Sequence, residues 1–250
     1  MRGKSTIAAL NTLTHKQDSL LIVYDADQIR HPGEHLFEPE HWRGQGAVVG
    51  EAPGRGTALL LETEFGPAVL RQYLRGGWAA RVSRDRYHFS GFDRSRPVQE
   101  FRILEELLAI GLPVPEPLAA MCLRDGSLYT AWLLMRRIMN VTPLADLIEG
   151  RSDDPVLWRT TGAEICRFHQ AGVIHADLNA RNILVGEGDH IHLIDFDRAR
   201  LRKGDSSAFR SNLKRLHRSL QKVWPRPFRG RLEACWTQLL EGYDKQGVAL

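Results

Sequence analysis

The stretch His175-Ala176-Asp177-Leu178-Asn179-Ala180-Arg181-Asn182-Ile183-Leu184 sets an Asp and an Asn five positions apart, behind a His and ahead of an apolar run. A second acidic group, Asp195-Phe196-Asp197, follows the strand-like segment Ile191 to Ile194. These residue types suit phosphoryl transfer. A hydroxyl that attacks the γ-phosphate of ATP needs a carboxylate to orient it and take its proton, and Asp177 can do both. Mg²⁺ takes hard oxygen ligands, which the Asn182 amide and the Asp195 carboxylate would supply. His-x-Asp alone reads equally well as a solvated turn. The mechanistic reading rests on the whole run, from His175 through Asn182 to the Asp195 group.

Such residues need elements to hold them. Ala47 to Leu61 reads as strand, glycine-bearing turn, strand, and Gly66-Pro67 turns the chain into a further strand, Ala68 to Tyr73. That makes three antiparallel strands in succession. Gly50, Gly54 and Gly56 in the first turn have two readings: a plain hairpin whose glycines allow positive φ, or a lid whose backbone N–H groups approach ATP phosphates because no Cβ intervenes. The strands and the later Asp177 segment favour the lid. Arg71 on the last of these strands can contact phosphate bidentately and stays charged, or can be an exposed strand cation. Ser95 to Gly111 is a helix with Pro97 in its first turn and Gly111 past its end, and with Phe101, Leu104 and Leu108 on one face. Glu100 lies early in it, placed to pair with Arg71 or to answer the helix dipole. Glu105 and Glu106, a turn further on, compete for that pairing.

Leu112 to Pro117 reads as an extended connector, Ser127 to Ile138 as a strand, and Leu20 to Tyr24 as an edge strand. Asp153, Asp154 and Pro155 start a helix that Gly172 stops, with Ile165 and Phe168 facing the core. Ile183 to Val185 and Ile191 to Ile194 form a small hairpin behind the Asp177 segment, and His175 packs beneath that segment and hydrogen-bonds its backbone. Residues 1 to 42 are otherwise uninformative.

The chain has 250 residues, a formal charge of +4 and 43% hydrophobic residues, which fits one large soluble domain or two lobes. Cys122, Cys166 and Cys235 are too scattered for a disulfide framework or a zinc site, and a reducing compartment suits them. The first ten residues lack an apolar core long enough for a signal peptide, and no apolar run is long enough to span a bilayer. The mild basic excess favours anionic partners without naming one.

The stretches HADLNARNIL and DFD resemble the eukaryotic-like protein kinase superfamily. Together with VLRQYLRGG, SRDRY, RPVQEF, GLPVPEP and AGVIHADLNARNIL, they resemble the bacterial lipopolysaccharide core kinases, over roughly residues 44 to 200. The resemblance implies an α+β, protein-kinase-like bilobal fold. Residues 1–136 would form a small antiparallel-sheet lobe with one key helix, and residues 137–250 a reduced, mainly helical lobe. It implies Asp177 as catalytic base, Asn182 and Asp195 as Mg²⁺ ligands, Arg71 on phosphate with Glu100 holding it, and Gly50, Gly54 and Gly56 over the nucleotide. The implied cofactors are ATP and Mg²⁺. The implied activity is phosphorylation of a hydroxyl of 3-deoxy-D-manno-octulosonic acid (Kdo), at position 4, on Kdo-lipid IVA at the cytoplasmic face of the inner membrane.

Departures from the protein-kinase pattern narrow the acceptor. Ala176, Asn179 and Asp197 stand where protein kinases carry Arg, Lys and Gly, and no Ala-Pro-Glu element follows. Control by a phosphorylated loop is therefore not expected, and a small or lipid-linked acceptor fits better than a protein. Two basic sets suit an anionic membrane surface: Arg75, Arg81, Arg84 and Arg86 among Trp78, Tyr87 and Phe89, and Arg210, Lys214, Arg215, Arg218 and Lys222 on a helix-like stretch. A solvated basic face is the plain alternative. The competing functions are a minimal protein kinase and a non-catalytic nucleotide-binding pseudokinase. Nucleic-acid binding has only the basic pI behind it.

Overall fold

The computed structural model describes residues 9–52, 58–74 and 85–245. It divides into two compact units: the chain up to Gly111 together with Pro115–Arg137, and Leu112–Val114 together with the chain from Ile138 onward.

The first unit is built on an antiparallel sheet. Strands β1 (Thr12–Lys16) and β2 (Leu20–Asp25) form a hairpin, and a short helix α1 (Pro39–Gly44) leads into β3 (Val48–Ala52), β4 (Ala58–Thr63) and β5 (Gly66–Gln72). After β6 (Tyr87–His88) and the helix α2 (Arg96–Ala109) come β7 (Pro117–Asp125) and β8 (Leu128–Arg136). The strand order is β1-β2-β7-β8-β5-β4-β3, with β6 also on β8. The three-strand succession β3-β4-β5 is as expected, but two readings need correction. Leu20–Tyr24 is interior, because β1 covers its outer edge. The expected connector ends at Pro117, where a full strand begins, and that strand lies between β2 and β8. Its continuous buried run, Leu118 to Cys122, hides the alternation that marks a strand with one solvated face.

Leu36, Phe37 and Trp42, from the stretch that reads least clearly in sequence, pack with Leu20, Ile22, Leu59, Leu61 and Leu70 in one cluster. α2 buries Val98, Phe101, Leu104, Leu107 and Leu108 and packs on β7. It ends as expected at Gly111, whose φ of 74° a residue with a Cβ tolerates poorly.

The second unit is mainly helical. β9 (Thr142–Pro143) leads into α3 (Leu144–Arg151) and the long α4 (Pro155–Gln170). The Asp154 carboxylate caps α4, accepting from the backbone N–H groups of Val156 and Leu157. After β10 (Val173–Ile174), the hairpin β11 (Ile183–Val185) and β12 (Ile191–Leu193) pairs through β11 with β9, and β13 (Arg200–Leu201) returns to β10. α5 (Ser206–Val223) and α6 (Leu232–Asp244) complete the unit. α4 buries Leu157, Trp158, Ile165 and Phe168.

α4 and α6 lie unusually close. A Cβ on Gly162 would sit 1.9 Å from the Leu239 carbonyl oxygen, and one on Gly242 would sit 2.0 Å from that of Arg159. Each helix thus presents a bare backbone to the other. Nearby, His169 stacks on Phe209 at 4.5 Å, and its Nδ1 lies 2.8 Å from the Tyr243 hydroxyl. Burial pushes the His169 imidazole down to about 4. Among the described residues, no helix is long and apolar enough to cross a membrane.

Two outcomes are expected. Gly162→Ala should lower stability by about 3 kcal/mol, because backbone must move to admit the methyl. Gly150→Ala, whose Cβ would meet nothing within 4 Å, should be neutral or slightly stabilising; thermal unfolding of the two variants separates them. His169 is held neutral in the fold, so the unfolded chain binds more protons below pH 6.5. Stability should therefore fall by about 3 kcal/mol as pH drops from near 6.5 to near 4. His169→Gln should flatten that limb in urea titrations at stepped pH.

Candidate active site

In the first unit, Arg71 and Tyr73 point the same way because alternate positions of an extended chain share a face. Leu70, the residue before Arg71, is on the opposite face and turns into the core. The Arg71 Nη2 donates to Glu100 Oε2 at 2.5 Å, and the Tyr73 hydroxyl donates to the same oxygen at 2.5 Å. Arg71 Nη2 also reaches the Tyr73 oxygen at 3.1 Å, and the guanidinium lies 4.8 Å from the Tyr73 ring centre. The Glu100 side chain is 1% exposed and that of Arg71 is 20% exposed. Burial, then the adjacent Glu100 charge, pushes the Tyr73 phenol well above its ordinary value, so it stays a donor. Glu105, one of the competing carboxylates, accepts instead from the Thr12 hydroxyl.

Gly50 lies on β3 at a register shift against β4. Gly54 and Gly56 lie outside the described residues, as do Arg75, Trp78, Arg81 and Arg84. The described members of that basic-aromatic set serve the fold itself. Arg86 pairs with Asp125 at 2.7 Å, Tyr87 is buried against Tyr129, and Phe89 packs on Phe92 beneath Arg124.

In the second unit, His175 organises the acidic residues. Its Nε2 faces the Ile194 carbonyl at 3.0 Å, and its Nδ1 faces the Asp177 backbone N–H at 3.2 Å. A carbonyl only accepts and an amide N–H only donates, so the ring is the neutral form with its proton on Nε2. Burial lowers its affinity for a second proton, in agreement. One ring thereby ties the Asp177 segment to the residue before Asp195. The expected packing of His175 under that segment is what the structure shows.

The Asp177 carboxylate is half-exposed. Its Oδ2 accepts from Asn179 Nδ2 at 3.1 Å, and Arg215 Nη1 lies 3.5 Å from its Oδ1. Asn179 also accepts the backbone N–H groups of Arg181 and Asn182 on its Oδ1, an Asx turn that bends the segment back. Asn182 Nδ2 donates to the Asp177 carbonyl at 2.9 Å, which commits the amide nitrogen and turns the oxygen the other way. The Ile194 N–H donates to the Asn182 carbonyl at 3.1 Å, continuing the β11–β12 pairing, so Asn182 and Asp195 leave the same end of one hairpin. Asp195 has φ 65°, a conformation that Asp tolerates better than most residues.

An amide oxygen and a carboxylate at one hairpin end fit a hard divalent cation whose other ligands are water and phosphate. Among the described residues, no cluster of His, Cys, Asp or Glu side chains forms a metal cage by itself.

Three contributors are not apparent in the sequence. Tyr73 could have been found from its spacing to Arg71. Asn212 and Ser219 hold the segment from α5: Asn212 receives the His175 N–H at 2.9 Å and donates to its carbonyl at 2.8 Å, and Ser219 Oγ receives the Ala180 N–H at 3.1 Å. The only local clue is a buried Asn in an otherwise apolar stripe.

A model of the lipopolysaccharide kinase (Kdo/WaaP) family matches residues 39–243. The chain belongs to that family. A 3-deoxy-D-manno-octulosonic acid kinase of Xanthomonas euvesicatoria pv. vesicatoria is 48% identical over 225 residues, covering 89% of each chain. One of Xanthomonas oryzae pv. oryzae is 50% identical over 204 residues, covering 81% of this chain and 80% of its own. One of Stenotrophomonas maltophilia is 47% identical with the same coverage. As a member of the lipopolysaccharide kinase family, the chain is a kinase with a mixed fold, an antiparallel-sheet unit preceding a helical one.

Tyr73→Phe should leave Glu100 buried with one donor fewer. Stability should fall by about 1–3 kcal/mol and the KM for ATP should rise several-fold, read by chemical denaturation and steady-state kinetics.

Proposed function

We propose that this kinase transfers the γ-phosphoryl group of Mg·ATP to a hydroxyl of Kdo, the 4-hydroxyl, on Kdo-lipid IVA. The observation that carries the acceptor is the 46–50% identity to relatives named for that sugar acid, across at least four fifths of the chain. The site supplies the chemistry. Asp177 orients the attacking hydroxyl and takes its proton, with Asn179 fixing the carboxylate. Asn182 and Asp195 would hold Mg²⁺, which when bound neutralises charge on the phosphates. Arg71, set by Glu100 and Tyr73, offers a cation to the nucleotide phosphates, and Gly50 on β3 would let backbone approach them closely.

The proposed location is the cytoplasmic face of the inner membrane, where the enzyme would bind peripherally. Arg210, Lys214, Arg218 and Lys222 are exposed on α5 while Leu213, Leu216 and Leu220 are buried. Each such cation near an anionic bilayer contributes about 1 kcal/mol.

The test is transfer of labelled phosphate from Mg·ATP to Kdo-lipid IVA, with Asp177→Ala alongside. Wild type should label the lipid, and the variant should be slower by about 10²–10⁴ with ATP binding retained. No label with wild type, or equal rates for both proteins, overturns the reading.

A further inference from the structure

Three residues of α5 face the catalytic segment at positions i, i+3 and i+7: Asn212, Arg215 and Ser219. At 100° per residue they fall within one narrow sector of the helix. The outer two bind backbone, at His175 and Ala180, and so fix the height and rotation of α5 against the segment. The middle one is thereby delivered to the catalytic carboxylate, with Arg215 Nη1 at 3.5 Å from Asp177 Oδ1. That distance is long for a charge-assisted hydrogen bond, and the two side chains are 47% and 52% exposed. An exposed pair at this separation contributes little to stability, so the contact is poorly explained as a fold-stabilising one. Among the described residues, Arg215 has no other carboxylate within ion-pair distance. The other edge of its planar fork remains for a second anion.

We infer that Arg215 is an acceptor-positioning residue that binds the carboxylate of the sugar acid and so sets its hydroxyl at Asp177. The inference rests on the Kdo reading above. A guanidinium pairs with a carboxylate through two parallel hydrogen bonds, which fixes orientation as well as position. An acid sugar held this way presents its ring at a fixed angle to a base a few ångströms away. Neutral sugars of similar shape lack the group that Arg215 grips. Asn179 stands beside Asp177 where Ser/Thr kinases carry a Lys, so this site takes its nearby cation from α5 rather than from the segment itself. Arg181 in the same segment directs its guanidinium to Asp146, whereas Arg215 directs its own to Asp177.

The experiment compares wild type, Arg215→Ala and Arg215→Lys on Kdo-lipid IVA and on the same lipid with its Kdo carboxylates converted to methyl esters. Arg215→Ala should raise the acceptor KM about 10- to 100-fold, the scale of losing hydrogen bonds to a charged group, with the KM for ATP within about two-fold. Arg215→Lys should fall between, keeping charge without the fork. The ester should cost wild type a similar factor and cost Arg215→Ala almost nothing more. If Arg215→Ala keeps the wild-type acceptor KM, or loses the same factor on acid and ester, the inference fails while the Kdo reading stands. If wild type transfers nothing to Kdo-lipid IVA, both fail together.

Discussion

The hydrogen bonding of His175 sets the geometry around Asp177 and Asp195 in the second unit. Its backbone is gripped at both N–H and C=O by the Asn212 side chain, and its ring spans from the Asp177 amide to the Ile194 carbonyl. Three separate pieces of chain meet at this residue. None of the four contacts is negotiable for a buried polar group, because each unmade bond costs about 1–3 kcal/mol. Burial holds the ring neutral, and only the neutral ring can accept and donate in the required directions. Asp177 and Asp195 therefore sit on turns and are still placed by buried hydrogen bonds.

The first unit achieves the same end with charge. Glu100 is buried, and two donors converge on one of its oxygens. Removing one partner of such a pair leaves an uncompensated buried charge, so the pair holds α2 in register against β5. Arg71 can serve as the cation here because Tyr73 shares the contact with Glu100. Its ring lies against the guanidinium and its hydroxyl completes the carboxylate's shell. Both units thus place a more accessible polar group by burying the polar side chain behind it.

Much of this was legible in the sequence because the signals are local. Alternation and turn residues mark β3, β4 and β5. Pro97 and Gly111 bracket α2, and Asp154 and Gly172 bracket α4. The order of acidic and amide residues from Asp177 to Asp195 marks the candidate site. What stayed hidden depends on distant partners. β7 is buried on both faces and preceded by prolines, so it mimics a connector. Leu20–Tyr24 reads as an edge until β1 is found beside it. Asn212 meets His175 37 residues away, a distance at which no local pattern reports a hydrogen bond.

The bare-backbone crossing of α4 and α6 bears on how the enzyme is made. α4 is a core helix of the second unit, and its Gly162 faces the Leu239 and Tyr243 backbone of α6, the last described helix to be synthesised. Until then, His169 lacks Tyr243, and α4 lacks the helix that covers Gly162. The sheet unit has all its strands long before and can fold during synthesis. Synthesis therefore completes the described strands of the sheet unit before it supplies the helix that covers Gly162 on α4.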